Sequence, residues 1–196
     1  MHEYDLIADW YARDRTHLTG LPGVQSLALS LPPGASVLDV ACGNGIALTK
    51  FLVDAGFDVV GIDSSPKMLE KFRVNLPGTP AICSPIQTAD LPLNHFDAAI
   101  SWGMLFHLPR EEQSLAIAKV ASVLKNGGQF LFTSGDAGED GDEGLEGAPI
   151  NGVPFHYWSW TREGYRSLLG RHGFALLDVH QDAGQNTYYL ARKSDS

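Results

Sequence analysis

The chain has 196 residues, 44% of them hydrophobic, which allows one sizeable core and points to a single domain. Its 14 Lys plus Arg stand against 23 Asp plus Glu, and the net charge of -9 works against the contacts that drive binding to nucleic acid or an anionic membrane. No apolar run reaches membrane-spanning length, the opening MHEYDLIADWYARDR is unlike a signal peptide, and Cys42 and Cys83 make neither a disulfide framework nor a metal motif, so the sequence reads as cytoplasmic.

In chain order, Leu6, Ile7, Trp10 and Tyr11 make one apolar stripe and Val24, Leu27, Ala28 and Leu31 another, which predicts two helices ahead of the first strand. Strands are predicted at Ser36–Val40, 58–62, 80–84, Phe96–Ser101 and 129–133. Between them, Ile46, Thr49, Lys50 and Val53 mark one helix face, and Ser65 before Pro66 reads as an N-cap with proline at the first helical position of a helix running to about Asn75. After Pro109, Ile117, Val120, Ala121 and Leu124 fall at helical spacing, and Gly127-Gly128 is the predicted stop.

The stretch 135–152 is glycine-rich and carries Asp136, Glu139, Asp140, Asp142, Glu143 and Glu146; it reads as a mobile loop whose carboxylates do not fit a calcium-loop spacing. An aromatic run, FHYWSW, comes next. A helix follows with Tyr165, Leu168, Leu169 and His172 on one face and Gly173 at its end, then strands at 174–180 and 187–192 joined by DAGQN as an antiparallel pair. Arg192 and Lys193 read as a solvated tail. The whole is an α/β fold in which helices cover both faces of a mostly parallel seven-stranded sheet that ends in an antiparallel hairpin. Within 1–196, the segments are a helical cover (1–34), a core (35–134), a loop and cover (135–160), and a final helix and hairpin (161–196).

The segment SVLDVACGNGIALTKFL is a strand, a small-residue turn and a helix start, so its turn amides are expected to face a ligand with partial positive charge. Asp63 closes the second strand twenty positions after Gly43, where a carboxylate accepts both hydroxyls of a ribose lying across the strand ends.

At these residues the chain resembles the class I S-adenosylmethionine-dependent methyltransferases of the small-molecule branch. LDVACGNG stands for the family's LDLGCGTG, followed by GIDSSPKML, LPLNHFDAAIS and LKNGGQFLF. The resemblance covers nearly the whole chain and implies a Rossmann-like three-layer sandwich, S-adenosylmethionine as cofactor and no metal. It further implies that Ala41, Cys42 and Gly43 lie along the methionine moiety and that Asp39 orients that turn. Asp63 would hold the ribose, Ser64 and Met68 flank the adenine, and Gln87 beside Thr88 meet its amino group. Ser101 and Trp102 would sit beneath the methionine, and Tyr11, on a helix similar to one that covers the cofactor in this branch, near its carboxylate. Ala41 replaces the turn's usual first glycine, and an unstrained φ is expected there.

A glycine turn with a distant Asp also fits a nicotinamide-dependent oxidoreductase, but Leu48 occupies the third-glycine position and the terminal hairpin disagrees. A cofactor-binding protein without turnover is the third reading. His107 and His156 are the candidate general bases, each set against a purely structural role; His2, His17, His95, His172 and His180 read as ordinary surface or helix-face residues, and Cys42 as turn filler. The predicted partner is a small apolar or aromatic acceptor, not nucleic acid: no N-P-P-Y segment follows the fourth strand and no Pro-Cys nucleophile is present. In an extended FHYWSW only one alternating set can line the acceptor pocket, and the His156 and Trp158 face is preferred to the Phe155 and Tyr157 face.

Overall fold

Short β-branched runs alternate with helical periodicity, and the chain folds in that order. The computed structural model describes residues 3–14, 19–135, 144–181 and 186–195. Helices α1 (Glu3–Asp14) and α2 (Leu21–Leu29) lead into β1 (Ser36–Val40), α3 (Leu48–Asp54), β2 (Asp58–Asp63), α4 (Pro66–Asn75) and β3 (Ala81–Cys83). Then follow β4 (Phe96–Ser101), a 3-10 turn (Leu105–His107), α5 (Arg110–Val123) and β5 (Leu124–Ser134). The remainder is β6 (Leu145–Glu146), β7 (His156–Tyr157), α6 (Arg162–Arg171), β8 (Phe174–Gln181) and β9 (Thr187–Lys193).

Seven strands form one sheet in the order β3-β2-β1-β4-β5-β9-β8. The first five are parallel, and β9 runs antiparallel to both β5 and β8. The predicted Rossmann-like sandwich with a terminal hairpin is thus present. Its strand order reverses direction at β1 and β4, which opens a crevice at their carboxyl ends. On one face Val24, Leu27, Leu48 and Leu52 pack on Val37, Ala98, Ile100 and Leu131; on the other, Ile117, Val120, Tyr165 and Leu168 pack on Leu38, Ala99, Phe130 and Phe132. Each fully buried aliphatic or phenyl side chain here contributes about 1.5 to 3 kcal/mol. Among the described residues no helix is long and apolar enough to cross a membrane.

The caps behave as the sequence predicts: Ser65 Oγ accepts the Met68 N–H at 3.1 Å, with Pro66 opening α4. Other expectations need correction. The inward face of α3 is Leu48, Thr49 and Leu52, because the preceding turn delays the helix start to Leu48; Ile46 is exposed and Lys50 pairs with Asp54 in solvent at 2.8 Å. α5 stops at Val123, ahead of the glycine pair, since Leu124 is already extended and paired with Phe96. Sheet pairing there overrides helical periodicity. Arg192 and Lys193 lie in β9, not in a tail, and Lys193 Nζ donates to Leu124 O at 2.7 Å and Asn94 Oδ1 at 2.9 Å.

The acidic segment 136–143, His2, His17 and residues 182–185 of the DAGQN connection lie outside the described residues. Just beyond the acidic segment, β6 pairs with β7 in a separate two-stranded sheet, which the sequence reading did not anticipate.

Candidate active site

The turn after β1 is fastened to the protein. The N–H groups of Ala41 and Cys42 both donate to Ile62 O, at 2.7 and 3.1 Å, and that of Gly43 donates to Asp63 Oδ2 at 2.9 Å. Gly45 N–H bonds Cys42 O at 3.0 Å, and Ile46 N–H bonds the Asn44 side chain at 3.2 Å. These five amides therefore do not face a ligand, contrary to expectation. What the turn presents instead is bare backbone: a Cβ on Gly43, at φ 56°, would meet no atom within 4 Å. Ala41 sits at φ 63°, so the unstrained φ expected of it is wrong. An L-residue there crowds its own carbonyl at a cost of about 1 to 2 kcal/mol.

Asp63 closes β2 with both oxygens engaged, Oδ2 to Gly43 N and Oδ1 to Ser65 N at 2.8 Å. A carboxylate offers roughly four lone-pair directions, so acceptor capacity for a ligand hydroxyl is retained. Asp63 and Gly43 border a cavity of about 470 Å³ over the carboxyl ends of β1 and β4, and Ser64, Met68, Ile86 and Gln87 wall the same end. Gln87 is steadied by Glu112, to which its Nε2 donates at 2.9 Å. Thr88 does not share this surface; it is exposed and turned to Pro85 O.

Three other predicted contacts lie behind the wall. Cys42 points into a small cluster with Leu69, Phe72 and Leu76, and burial, reinforced by the charges of Asp39 and Asp63, pushes its thiol well above the usual range. It is packing, as its size allows. Ser101 is wholly buried, with its hydroxyl unpartnered among the described residues. Asp39 accepts the Thr49 hydroxyl at 2.6 Å, and so ties β1 to α3 instead of touching the turn. Burial pushes Asp39 up to about 7, opposed by the Thr49 hydrogen bond and reinforced by the charge of Asp63.

Helix α1 roofs the cavity with Tyr4 and Tyr11, which meet edge to face at 6.1 Å. It is held down by Asp5, whose Oδ1 accepts Ser65 Oγ at 2.6 Å and Lys67 N at 3.3 Å, and by the Asp9–Lys71 ion pair at 2.5 Å. Tyr4 was not picked out from the sequence, although its seven-residue spacing to Tyr11 puts both on one helix face.

At the far end of the cavity, His107 is half-buried among aromatic rings. Its centroid lies 4.6 Å from Phe106, 4.8 Å from Tyr157, 5.1 Å from Phe155 and 6.0 Å from Tyr4. His107 Nδ1 lies 3.1 Å from the main-chain oxygen of His156. A carbonyl only accepts, so Nδ1 carries the proton and Nε2 is the acceptor nitrogen. The side chain of His156 is exposed and tilts toward Trp158. Phe155, His156, Tyr157 and Trp158 all border the cavity, so the expectation that only one alternating set could do so does not hold. Trp102 also borders it, its ring seated over Gly20 and 4.6 Å from Tyr188.

Residues 37–128 match the family described as methyltransferase domain. Over that stretch the chain carries a methyltransferase domain. The resemblance read from LDVACGNG is thereby borne out. An uncharacterized methyltransferase of Synechocystis is 33% identical over 104 residues, which is 53% of this chain and 49% of that protein. The tRNA U34 carboxymethyltransferase of Shewanella denitrificans is 30% identical over 153 residues, 73% of this chain and 42% of that protein. The chain thus spans less than half the length of these relatives. Among solved structures, the 1,6-didemethyltoxoflavin-N1-methyltransferase of Burkholderia thailandensis shares the fold at a TM-score of 0.76 and 20% identity, covering 98% of this chain and 87% of that one. The CcbJ methyltransferase of Streptomyces caelestis does so at a TM-score of 0.79 and 18% identity, covering 98% of both chains.

Two outcomes follow for this methyltransferase domain. Ala41→Gly relieves the left-handed strain and should stabilise the protein by about 1 kcal/mol, a rise in Tm of about 2 to 4 °C by calorimetry. Asp39, raised to about 7 from 3.8, binds a proton more tightly when folded, so its contribution to stability falls as pH rises through that window. Asp39→Asn keeps an acceptor for Thr49 and removes the titration. Relative to the variant, wild type should therefore lose Tm steadily between about pH 4 and pH 7 and level off above that, and parallel melting curves would contradict the assignment.

Proposed function

We propose that the chain transfers the methyl group of S-adenosylmethionine to a small, flat acceptor, with His107 as the general base. The observation that carries this is the His107 ring, held in one tautomer by the His156 carbonyl at 3.1 Å inside an aromatic enclosure at one end of the cavity. The other end fits the cofactor. Asp63 accepts the ribose hydroxyls, Met68 and Ile86 supply apolar faces for the adenine, Gln87 meets its edge, and the open side of Gly43 admits the methionine chain beside Tyr11.

S-adenosylmethionine supplies an electrophilic methyl group on a sulfonium whose positive charge disappears as the group is transferred. The protein's part is alignment and exclusion of water. Orientation is worth about 7 to 11 kcal/mol and a general base about a hundred- to ten-thousandfold. α1 and the 155–158 wall enclose the acceptor, while His107 Nε2 takes its proton as the nucleophilic atom attacks.

Some relatives act on tRNA by name, so nucleic acid is the competing acceptor. Among the described residues that border the cavity there is no Lys or Arg, whereas Glu3 and Asp63 are acidic, and the chain's net charge is -9. These features favour a small acceptor over a polyanion. The flat shape is supported by the rings of Phe106, Phe155, Tyr157 and Trp158 along the acceptor end.

The test pairs calorimetry with S-adenosylhomocysteine and a radiolabelled methyl-transfer screen over small aromatic alcohols, amines and heterocycles, with bulk tRNA as comparison. Asp63→Ala should lose about 1.5 to 3 kcal/mol of cofactor affinity for each ribose hydroxyl left unpaired. The Gly43 and Ser65 amides lose their acceptor too, so Tm falls with it. His107→Asn should leave cofactor affinity intact, lower kcat by about a hundredfold or more, and abolish the acidic limb of the pH profile. Transfer to tRNA with no turnover of small acceptors would overturn the acceptor assignment.

A further inference from the structure

We infer that Gln113 is a positioning residue that sets the acceptor wall against His107. The inference rests on the reading of His107 as the base. Gln113 is wholly buried on α5, one turn ahead of Ala116 and Ile117 and two ahead of Val120, where helical spacing calls for an apolar residue. It does not line the cavity that holds His107. Its Nε2 donates to Leu108 O and to Trp158 O, each at 2.9 Å, and its Oε1 accepts the Tyr165 hydroxyl at 2.9 Å. Both carbonyls can only accept, so the amide has one orientation. Because Tyr165 gives its proton to Gln113, Ser134 Oγ is the donor in its contact with Tyr165. One buried amide thus joins the segment leaving the 3-10 turn, the acceptor wall and α6, and through Tyr165 reaches the end of β5.

The wall hangs on this amide and on its neighbours in sequence. Trp158 has both main-chain groups held, its N–H by Phe106 O at 2.8 Å and its C=O by Gln113. Arg110 donates to the next carbonyl, Ser159 O, at 3.1 and 3.3 Å. Two residues before Trp158, His156 presents its carbonyl to His107 Nδ1. With Trp158 fixed at both ends, that carbonyl has little freedom. Gln113 therefore acts on His107 through the wall, and a substitution that keeps the core packed but removes the two N–H donors should loosen the tautomer of His107 without touching the cofactor end.

Nitrogen-15 NMR of the His107 ring reads this directly and needs no acceptor. Gln113→Met is close in size and loses both donors, the one to Leu108 O and the one to Trp158 O; Gln113→Asn, one methylene shorter, serves if the methionine variant does not fold. Tyr165→Phe is the control, since it disturbs the same buried network but leaves both Gln113 donors. Wild type should show the Nδ1–H form. In the Gln113 variant the ratio of Nδ1–H to Nε2–H should fall by about fivefold, the change that one ordinary hydrogen bond supports, with S-adenosylhomocysteine affinity unchanged by calorimetry. In Tyr165→Phe the melting temperature should fall and the ratio stay at its wild-type value. An unaltered ratio in a folded Gln113 variant, or an equal change in Tyr165→Phe, would overturn the inference. If His107→Asn proved fully active, the base assignment would fail while the tautomer result stood, so the two failures are told apart.

Discussion

The carboxylate of Asp63 is the constraint on which the rest of the site depends. One oxygen fixes the turn after β1 through Gly43 N–H, and the other fixes the start of α4 through Ser65 N–H. Both bonds are charge-assisted, which makes them roughly twice as strong as neutral ones. The chain's first glycine turn, its second strand and its fourth helix therefore share one anchor. Ser65, positioned by that anchor, caps α4 with its oxygen and gives its own proton to Asp5, which brings α1 over the cavity. The geometry of the cofactor end is a chain of local hydrogen bonds starting at one side chain.

Most of the fold was legible because its signals are local. Ser65-Pro66 sets the start of α4 from two adjacent residues, and the short apolar or β-branched runs at β1 and β4 match those strands' observed bounds. The misses arise where a distant partner wins. Leu124 continues the helical stripe of α5, yet pairing with Phe96 draws it into β5. Lys193 reads as tail until Leu124 O and Asn94 are brought beneath it by the sheet.

The candidate site divides in the same way. Asp63, Gly43 and Met68 lie next to the turn or helix that their own sequence neighbours specify, and they border the cavity. Cys42 and Asp39 belong to the same motif but face the other way, because a turn alternates its side chains and sequence alone does not say which side is wet. At the acceptor end the partners are remote: His107 meets a carbonyl 49 positions away, and Gln113 bonds one 45 positions away. The one available signal was a glutamine interrupting an apolar stripe, where an unpaired amide would be costly to bury.

The inward-tied turn amides have a consequence for the choice of cofactor. A Rossmann-type dinucleotide site offers main-chain N–H groups to a pyrophosphate. Here the amides of Ala41, Cys42, Gly43, Gly45 and Ile46 are already committed to the protein's own oxygens. A diphosphate bridge arriving at this turn would meet the carboxylate of Asp63 and no donors from those five residues. The preference for a nucleoside that carries an amino acid is thus set by how the backbone folds, and exchanging one surface side chain for another would not reverse it.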